Sequence, residues 1–269
     1  MRHYVIAIAL FAAACQREPA GATFDGAQAG DPTALRAHGE RLVQVLGCTS
    51  CHGKQLEGAF FTKDDPQYGP LYASNLTVVV PRYTDMQLDD IIRSGTHPER
   101  KTVWVMPSQI FQNLSDEDFH ALVAYLRTLK PIGMKTPPPK FSSQDNKDIA
   151  SGNYKPAVQM VHDFAKKQPI DLGRQYALGR YIGSVTCEEC HGSDLSGNST
   201  GPMMKIPNLV VAGGYSRADF DKLITKGIPT PARKLNPMMA GVAVTRFSHL
   251  TPHERDALYA YLKTRAERY

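Results

Sequence analysis

The chain lacks any apolar run long enough to cross a bilayer, and it lacks any strand-length stretch of alternating apolar and polar residues. A membrane-spanning helix needs about 20 consecutive apolar residues, so the sequence predicts no internal transmembrane helix. The missing alternation argues against a fold built on β-sheets. The composition, 42% hydrophobic and 21% charged residues, is typical of globular proteins, and 269 residues leave room for two domains.

Cysteine is scarce as well, and four of the five cysteines lie in two copies of one motif, Cys-x-x-Cys-His, at residues 48–52 and 187–191. This motif is the attachment signature of c-type haem: both thiols add to haem vinyl groups, and the histidine coordinates the iron. Thioredoxin-like redox sites and zinc sites also use Cys-x-x-Cys, but neither explains the histidine after each pair. We therefore predict two covalently bound haem c groups. They are attached through Cys48, Cys51, Cys187 and Cys190, with His52 and His191 as iron ligands.

A longer repeat surrounds the two motifs. Gly39 lies nine residues before Cys48, and Gly179 lies eight residues before Cys187. The shared positions further on are Leu56 and Leu195, Gly58 and Gly197, Asn75 and Asn208, and Gly95 and Gly227. Helical periodicity before the last glycine pair, and capping sequences at 115–118 and 251–254, predict the same helices in both halves. The predicted fold class is therefore all-α, with two tandem helical domains.

We place the predicted domains at residues 33–131 and 168–269, with a linker over residues 132–167. Residues 131–140 are rich in proline, which favours a semi-extended spacer over a free coil. Residues 157–167 are predicted to form a short helix that packs between the domains.

The sixth iron ligand decides what each haem can do. Methionine raises the reduction potential and closes the iron to other ligands, whereas an open position permits catalysis. In the first half we predict Met106, which lies between Gly95 and the last helix. Met86 falls inside a predicted helix, and His97 is a weaker candidate.

In the second half, Met238 and Met239 are both candidates. Eleven residues separate Gly95 from Met106, and the same count from Gly227 selects Met238. That count assumes loops of equal length, and loop lengths vary more than those of helices.

Each ligand histidine needs an acceptor for its Nδ1 proton. Backbone carbonyls in the loops that hold Gly69-Pro70 and Gly201-Pro202 are candidates. Trp104, the only tryptophan, is expected to pack against a haem edge or the core. The remaining histidines have no ligand spacing and are expected to be solvated. They are His38, His120, His162, His249 and His253.

Residues 1–15 are predicted to be an export signal. Arg2 and His3 precede an apolar stretch, and the run of alanines that ends at Cys15 resembles a bacterial lipoprotein processing site. We therefore expect a lipid on Cys15 that anchors the protein to the membrane on the periplasmic side. A plain secretory signal is the alternative. Export agrees with the haem prediction, because c-type haem is attached on that side of the membrane.

With these motifs established, both halves resemble class I-type cytochrome c domains. Residues 71–77, Met106-Pro107 and residues 114–126 further resemble the cytochrome c subunits of membrane-bound alcohol and gluconate dehydrogenases. In that family, Ala-x-Val often follows a ligand methionine, so the resemblance favours Met239, which precedes Ala240-Gly241-Val242. Those subunits usually carry three haem domains, whereas this chain has two.

The resemblance implies an electron carrier in which both irons have His and Met ligands. The expected partners are a redox donor, such as a dehydrogenase, and a redox acceptor, such as an oxidase or a small cytochrome. The alternative is a dihaem enzyme of the peroxidase or thiosulfate dehydrogenase type, which needs an open or cysteine-ligated iron.

The formal net charge of +5 does not indicate nucleic acid binding, since the propionates of two haems would offset about four charges. The charge is unevenly distributed. Residues 33–131 carry a net charge of −1, and residues 168–269 carry +4. We expect the second domain to meet an acidic partner surface, with an attraction that weakens as salt rises. Ordinary scatter of charges is the alternative.

Overall fold

The computed structural model describes residues 21–199, 205–230 and 233–268. Within these ranges the chain forms thirteen α-helices, and its only sheet structure is three antiparallel pairs of two-residue strands. The predicted all-α class is therefore confirmed. No described helix is both long enough and apolar enough to cross a membrane. The predicted export signal, residues 1–15, lies outside the described residues.

The first half contains six helices and two of the strand pairs. The helices are α1 (Pro32–Val45), α2 (Cys48–His52), α3 (Leu76–Val79), α4 (Asp85–Asp89), α5 (Ser108–Phe111) and α6 (Asp116–Leu126). The strands are β1 (Ala59–Phe60) with β2 (Tyr72–Ala73), and β3 (Thr96–His97) with β4 (Lys101–Thr102). A π-helical turn, Asp90–Ser94, extends α4 as far as Gly95, whose φ of 69° is left-handed. Gly95 thus ends the helix as the sequence predicts.

Two further helices follow, and the second half then repeats the first. The connecting helices are α7 (Ser143–Ser151) and α8 (Ala157–Ala165). The helices of the second half are α9 (Ala177–Thr186), α10 (Glu188–His191), α11 (Arg217–Lys226), α12 (Pro237–Thr245) and α13 (Pro252–Glu267). The strands are β5 (Asn198–Ser199) and β6 (Lys205–Ile206). The predicted capping box is present at Thr251, and Gly227 ends α11 with a φ of 64°.

In each half, the helix before the haem motif crosses the last helix at a glycine. A Cβ atom on Gly39 of α1 would lie 2.0 Å from the Ala121 carbonyl oxygen of α6. A Cβ atom on Gly179 of α9 would lie 2.1 Å from the Ala257 carbonyl oxygen of α13. No side chain fits at either crossing, so the glycines allow the backbones to touch. These two crossings fix the direction in which the chain enters the haem motif of each half.

The connecting segment is anchored along the first half. The Asp145 carboxylate accepts a hydrogen bond from the Gly69 amide at 2.7 Å. The predicted helix α8 is present and packs on α5, and its Ala157 amide donates to the Val103 carbonyl oxygen at 3.0 Å. The segment therefore covers the first half with an ordered layer.

Asp118, in the first turn of α6, joins the two halves. Its carboxylate is fully buried and accepts a hydrogen bond from the Tyr181 hydroxyl of α9 at 2.6 Å. It also accepts from the Phe24 amide at 3.0 Å and from His38 Nε2 at 2.7 Å. His38 is only 5% exposed, so the prediction that it is solvated was wrong. Helix α1, which carries His38, packs on α6, where Asp118 provides a buried partner.

Glu254, in the first turn of α13, makes the reciprocal connection. Its carboxylate is also fully buried, and both oxygens accept hydrogen bonds from the Arg41 guanidinium of α1 at 2.8 Å. The Asp25 amide donates to the same carboxylate at 2.8 Å. A buried carboxylate is tolerated only when charged or polar donors satisfy it. The two halves are thus held by a matched pair of satisfied carboxylates.

Candidate haem-attachment sites

Both Cys-x-x-Cys-His motifs form short helices that follow directly on the preceding helix. Helix α2 begins after Gly47, which has a left-handed φ of 77°, and α10 begins at the residue after Cys187. None of the four motif cysteines is joined in a disulfide. The thiols are therefore available for the two thioether bonds that each haem c needs.

Each motif histidine is oriented by a backbone carbonyl. His52 Nδ1 donates to the Ser74 carbonyl oxygen at 2.7 Å, and His191 Nδ1 donates to the Pro207 carbonyl oxygen at 2.8 Å. This bond fixes the ring and leaves Nε2 as the nitrogen that can ligate iron. The acceptors lie beyond the expected Gly-Pro pairs, at the residue before an asparagine that caps the next helix. The second pair, Gly201-Pro202, lies outside the described residues.

The histidines and thiols are held in their neutral forms. Burial lowers the pKa of His52 and His191 below the usual value for histidine, although the carbonyl bonds oppose the shift. A neutral imidazole is the form that binds a metal. Burial likewise raises the pKa of Cys48 to about 12 and of Cys187 to about 11.

Both predicted methionine ligands lie near the start of a helix that precedes the last helix of their half. Met106 lies two residues before α5 and packs against the hydrophobic core. Met239 lies in the first turn of α12 and also packs against the core. Its neighbour Met238 is 54% exposed, so its thioether points largely into solvent. This difference favours Met239 as the inward-facing residue.

The rival ligands in the first half lie in other environments. Met86 is in α4, as predicted, and 76% of it is exposed. His97 is buried in β3, where its Nε2 lies 3.5 Å from the Tyr83 hydroxyl and its Nδ1 accepts from the Glu99 amide at 3.1 Å. Both ring nitrogens of His97 thus have protein partners.

Trp104 packs against the connecting segment. Its ring centroid lies 5.0 Å from those of Phe141 and Tyr154. Trp104 lies two residues before Met106 in the sequence, so this cluster places the connecting segment beside the part of the chain that carries Met106. The connecting segment therefore contacts the chain close to the predicted ligand, and the sequence gives no spacing signal for this contact.

The donor set in each half matches the chemistry of haem c. It consists of two free thiols, a neutral imidazole with one orienting bond, and a thioether packed in apolar surroundings. Among the described residues, no three His, Cys, Asp or Glu side chains converge as ligands of one metal ion. The zinc interpretation of the cysteine pairs therefore has no structural support.

Comparison with known proteins agrees with this geometry. The family model for cytochrome c matches residues 37–130 and 176–266, one match for each half. The chain belongs to the cytochrome c family. Two such domains, each with its complete attachment motif, bind two covalent haem c groups.

Relatives of this cytochrome include a protein named as a dihaem cytochrome and others named as cytochrome subunits of dehydrogenases. A "Diheme cytochrome c-type" protein of Cereibacter sphaeroides is 27% identical over 86% of this chain and 86% of its own length. The fructose dehydrogenase cytochrome subunit of Gluconobacter japonicus is 24% identical over 88% of this chain, but only 55% of the subunit. The alcohol dehydrogenase (quinone) cytochrome c subunit of Gluconacetobacter polyoxogenes is 29% identical over 39% of this chain and 24% of its own length.

The interface residues of this cytochrome were not singled out from the sequence. Asp118 and Glu254 look like ordinary helix-capping acids, since nothing local indicates that both are buried. Arg246 is 7% exposed and lies between the halves. The repeat does single out Arg246 in one respect. When Ser115 is aligned with Thr251, Arg246 takes the place of the apolar Ile110.

Proposed function

We propose that this cytochrome carries electrons on the periplasmic side, with His52 and Met106 on one iron and His191 and Met239 on the other. The observation that supports this proposal is the same in both halves. A histidine held by a backbone carbonyl is accompanied by a methionine packed in the apolar core. Such a pair leaves no iron position for a substrate.

The division of labour between haem and protein follows from these ligands. Haem supplies reversible one-electron chemistry between the ferric and ferrous states. The protein orients each imidazole through Ser74 or Pro207, excludes water with its apolar core, and raises the potential through the thioether ligand.

We propose a division into domains at residues 33–131 and 168–269, with residues 132–167 as the connecting segment. The buried core supports it, since α1 packs on α6 in the first half and α9 packs on α13 in the second. Residues 21–31 would be an additional arm that reaches across both halves through Phe24 and Asp25.

The proposed partners are a dehydrogenase or other respiratory donor and a terminal acceptor. Two relatives are named as cytochrome subunits of fructose and alcohol dehydrogenases, which makes a dehydrogenase a reasonable donor. Export through residues 1–15 and a lipid on Cys15 would hold the protein at the membrane surface, where such partners meet. A metabolic label with fatty acid, present in the wild type and lost in Cys15→Ser, is the expected result.

The enzyme alternative can be tested on the same protein. Among the described cysteines, all four belong to the attachment motifs, so the described part offers no thiolate as an axial ligand. We expect the reduced holoprotein to bind carbon monoxide slowly and incompletely, and to show no peroxide or thiosulfate turnover with an artificial redox partner. Rapid formation of a carbon monoxide complex at either haem would contradict the proposal.

A further inference from the structure

Arg246, the residue that ends α12, contacts both haem-attachment segments. Its Nη1 donates to Glu189 Oε2 at 2.9 Å, and Glu189 lies between the two cysteines of the second motif. Its Nε and Nη2 donate to the carbonyl oxygens of Val45 and Leu46, at 3.3 and 3.1 Å. These two carbonyls belong to the turn that enters the first motif.

The backbone beside the first motif is shaped around this side chain. A Cβ atom on Gly47 would lie 2.6 Å from Arg246 Nε. Gly47 also has a left-handed φ of 77°, which a side chain would strain. Glycine therefore lets the guanidinium approach the residue that immediately precedes Cys48.

One positive charge acts on both sites at once. Its guanidinium donates to Glu189, between the cysteines of the second motif, and to the carbonyl oxygen of Leu46, two residues before Cys48 of the first. Because the guanidinium is buried, its field is weakly screened by water and salt.

The fold itself does not demand an arginine at this position. In the repeat, Ile110 is the equivalent residue, and it is fully buried. An apolar side chain thus fills the corresponding place in the first half. The second half instead buries a charge, which requires Glu189 and two carbonyls to satisfy it.

We propose that Arg246 is a positioning residue that joins the two haem-attachment segments and raises the reduction potentials of both haems. A nearby positive charge disfavours the ferric state more than the ferrous state, because the ferric state carries one more positive charge. The carboxylate of Glu189 offsets part of this effect. This inference rests on the proposed electron-transfer function only in its purpose, since the potentials can be measured without any partner.

The test is a spectroscopic redox titration of the purified holoprotein with chemical mediators. Each haem takes one electron from the reductant as its iron passes from ferric to ferrous. We expect Arg246→Gln to shift both one-electron steps to lower potential. Arg246→Lys keeps the charge and should keep both potentials near those of the wild type, although it loses hydrogen bonds. Arg233→Gln, which removes an exposed cation of the second half, should shift neither step appreciably.

The opposite charge change provides a second route to the same conclusion. Glu189→Gln removes the carboxylate and should raise both potentials, so the test stands even where Arg246→Gln does not fold. Equal shifts in Arg246→Gln and Arg246→Lys would indicate a purely structural role and overturn the proposal, as would a shift confined to one haem. Failure of the electron-carrier function would appear instead as turnover of peroxide or thiosulfate, with the shifts in potential intact.

Discussion

Asp118 and Glu254 are the third residues of equivalent helices, and each carboxylate is hydrogen-bonded by the opposite half of the molecule. The Tyr181 hydroxyl donates to Asp118, and the Arg41 guanidinium donates to Glu254. Tyr181 and Arg41 are themselves equivalent, because each lies two residues after a helix-crossing glycine. The interface therefore has an approximate two-fold relation, like that of an isologous dimer. The internal repeat thus describes the contact between the halves as well as the halves themselves.

Tyr181→Phe should destabilise this interface. The change removes a 2.6 Å hydrogen bond to a buried carboxylate and leaves the ring in place. We expect the free energy of unfolding to fall by about 1–3 kcal/mol, as measured by denaturant titration of the holoprotein. Tyr259→Phe is the matched control, since its hydroxyl donates to the Tyr215 carbonyl oxygen within the second half. A loss no larger than that of the control would contradict the role given to Asp118.

The methionine ligands can be tested by substitutions that preserve packing. Met106→Leu and Met239→Leu retain the apolar volume but remove the thioether. Each should abolish the Met–iron absorption band of one haem, lower its potential and allow carbon monoxide to bind. Met238→Leu should change none of these properties, because that side chain is 54% exposed. The reverse pattern between Met238 and Met239 would reassign the second ligand.

The local features of this fold were readable from the sequence because short-range chemistry determines them. Gly95 and Gly227 end helices, and Thr251 opens a capping box. Each of these is a property of a few adjacent residues. Because the two halves repeat, each prediction made for one half also applied to the equivalent residues of the other.

The long-range features were not readable in the same way. His38 carries no local sign that Asp118, eighty residues away, would bury and pair it. The acceptors Ser74 and Pro207 contribute only backbone carbonyls, and a carbonyl is present at every residue. Contacts of this kind depend on how helices pack, so only the assembled structure identifies them.

The basic surface of the second half should attract anionic redox partners and repel cationic ones. Lys226 and Lys234 are exposed, and so are the apolar side chains of Ile228 and Met238, at 51% and 54%. We expect oxidation by the ferricyanide anion to slow as ionic strength rises, and oxidation by the cation tris-phenanthroline cobalt(III) to quicken. Lys226→Glu and Lys234→Glu should slow the anionic reaction, whereas Lys54→Glu in the first half should affect it less. Rates independent of salt with both oxidants would favour ordinary charge scatter.

Glu188 should make the protein less stable as the pH rises. Burial raises the pKa of Glu188 to about 8, against the lowering effects of the Ser184 hydroxyl and the Arg180 guanidinium. Its ordinary value is 4.5, so between these pH values the unfolded chain releases the proton that the folded chain keeps. The folded state then binds more protons, and the free energy of unfolding falls by about 1.4 kcal/mol per pH unit from this group. The stabilisation is complete below pH 4.5 and is lost as the pH rises toward about 8.

Glu188→Gln should remove that slope, because a neutral amide has the buried shape without the proton. The variant should therefore exceed the wild type in stability near pH 8 and lose this advantage near pH 5, in thermal unfolding of the holoprotein followed at the haem absorption. Glu40→Gln, at an exposed position of α1, should leave the slope unchanged. Parallel pH profiles for the wild type and Glu188→Gln would mean that Glu188 is ionised in the folded protein, with a cation close enough to offset its burial.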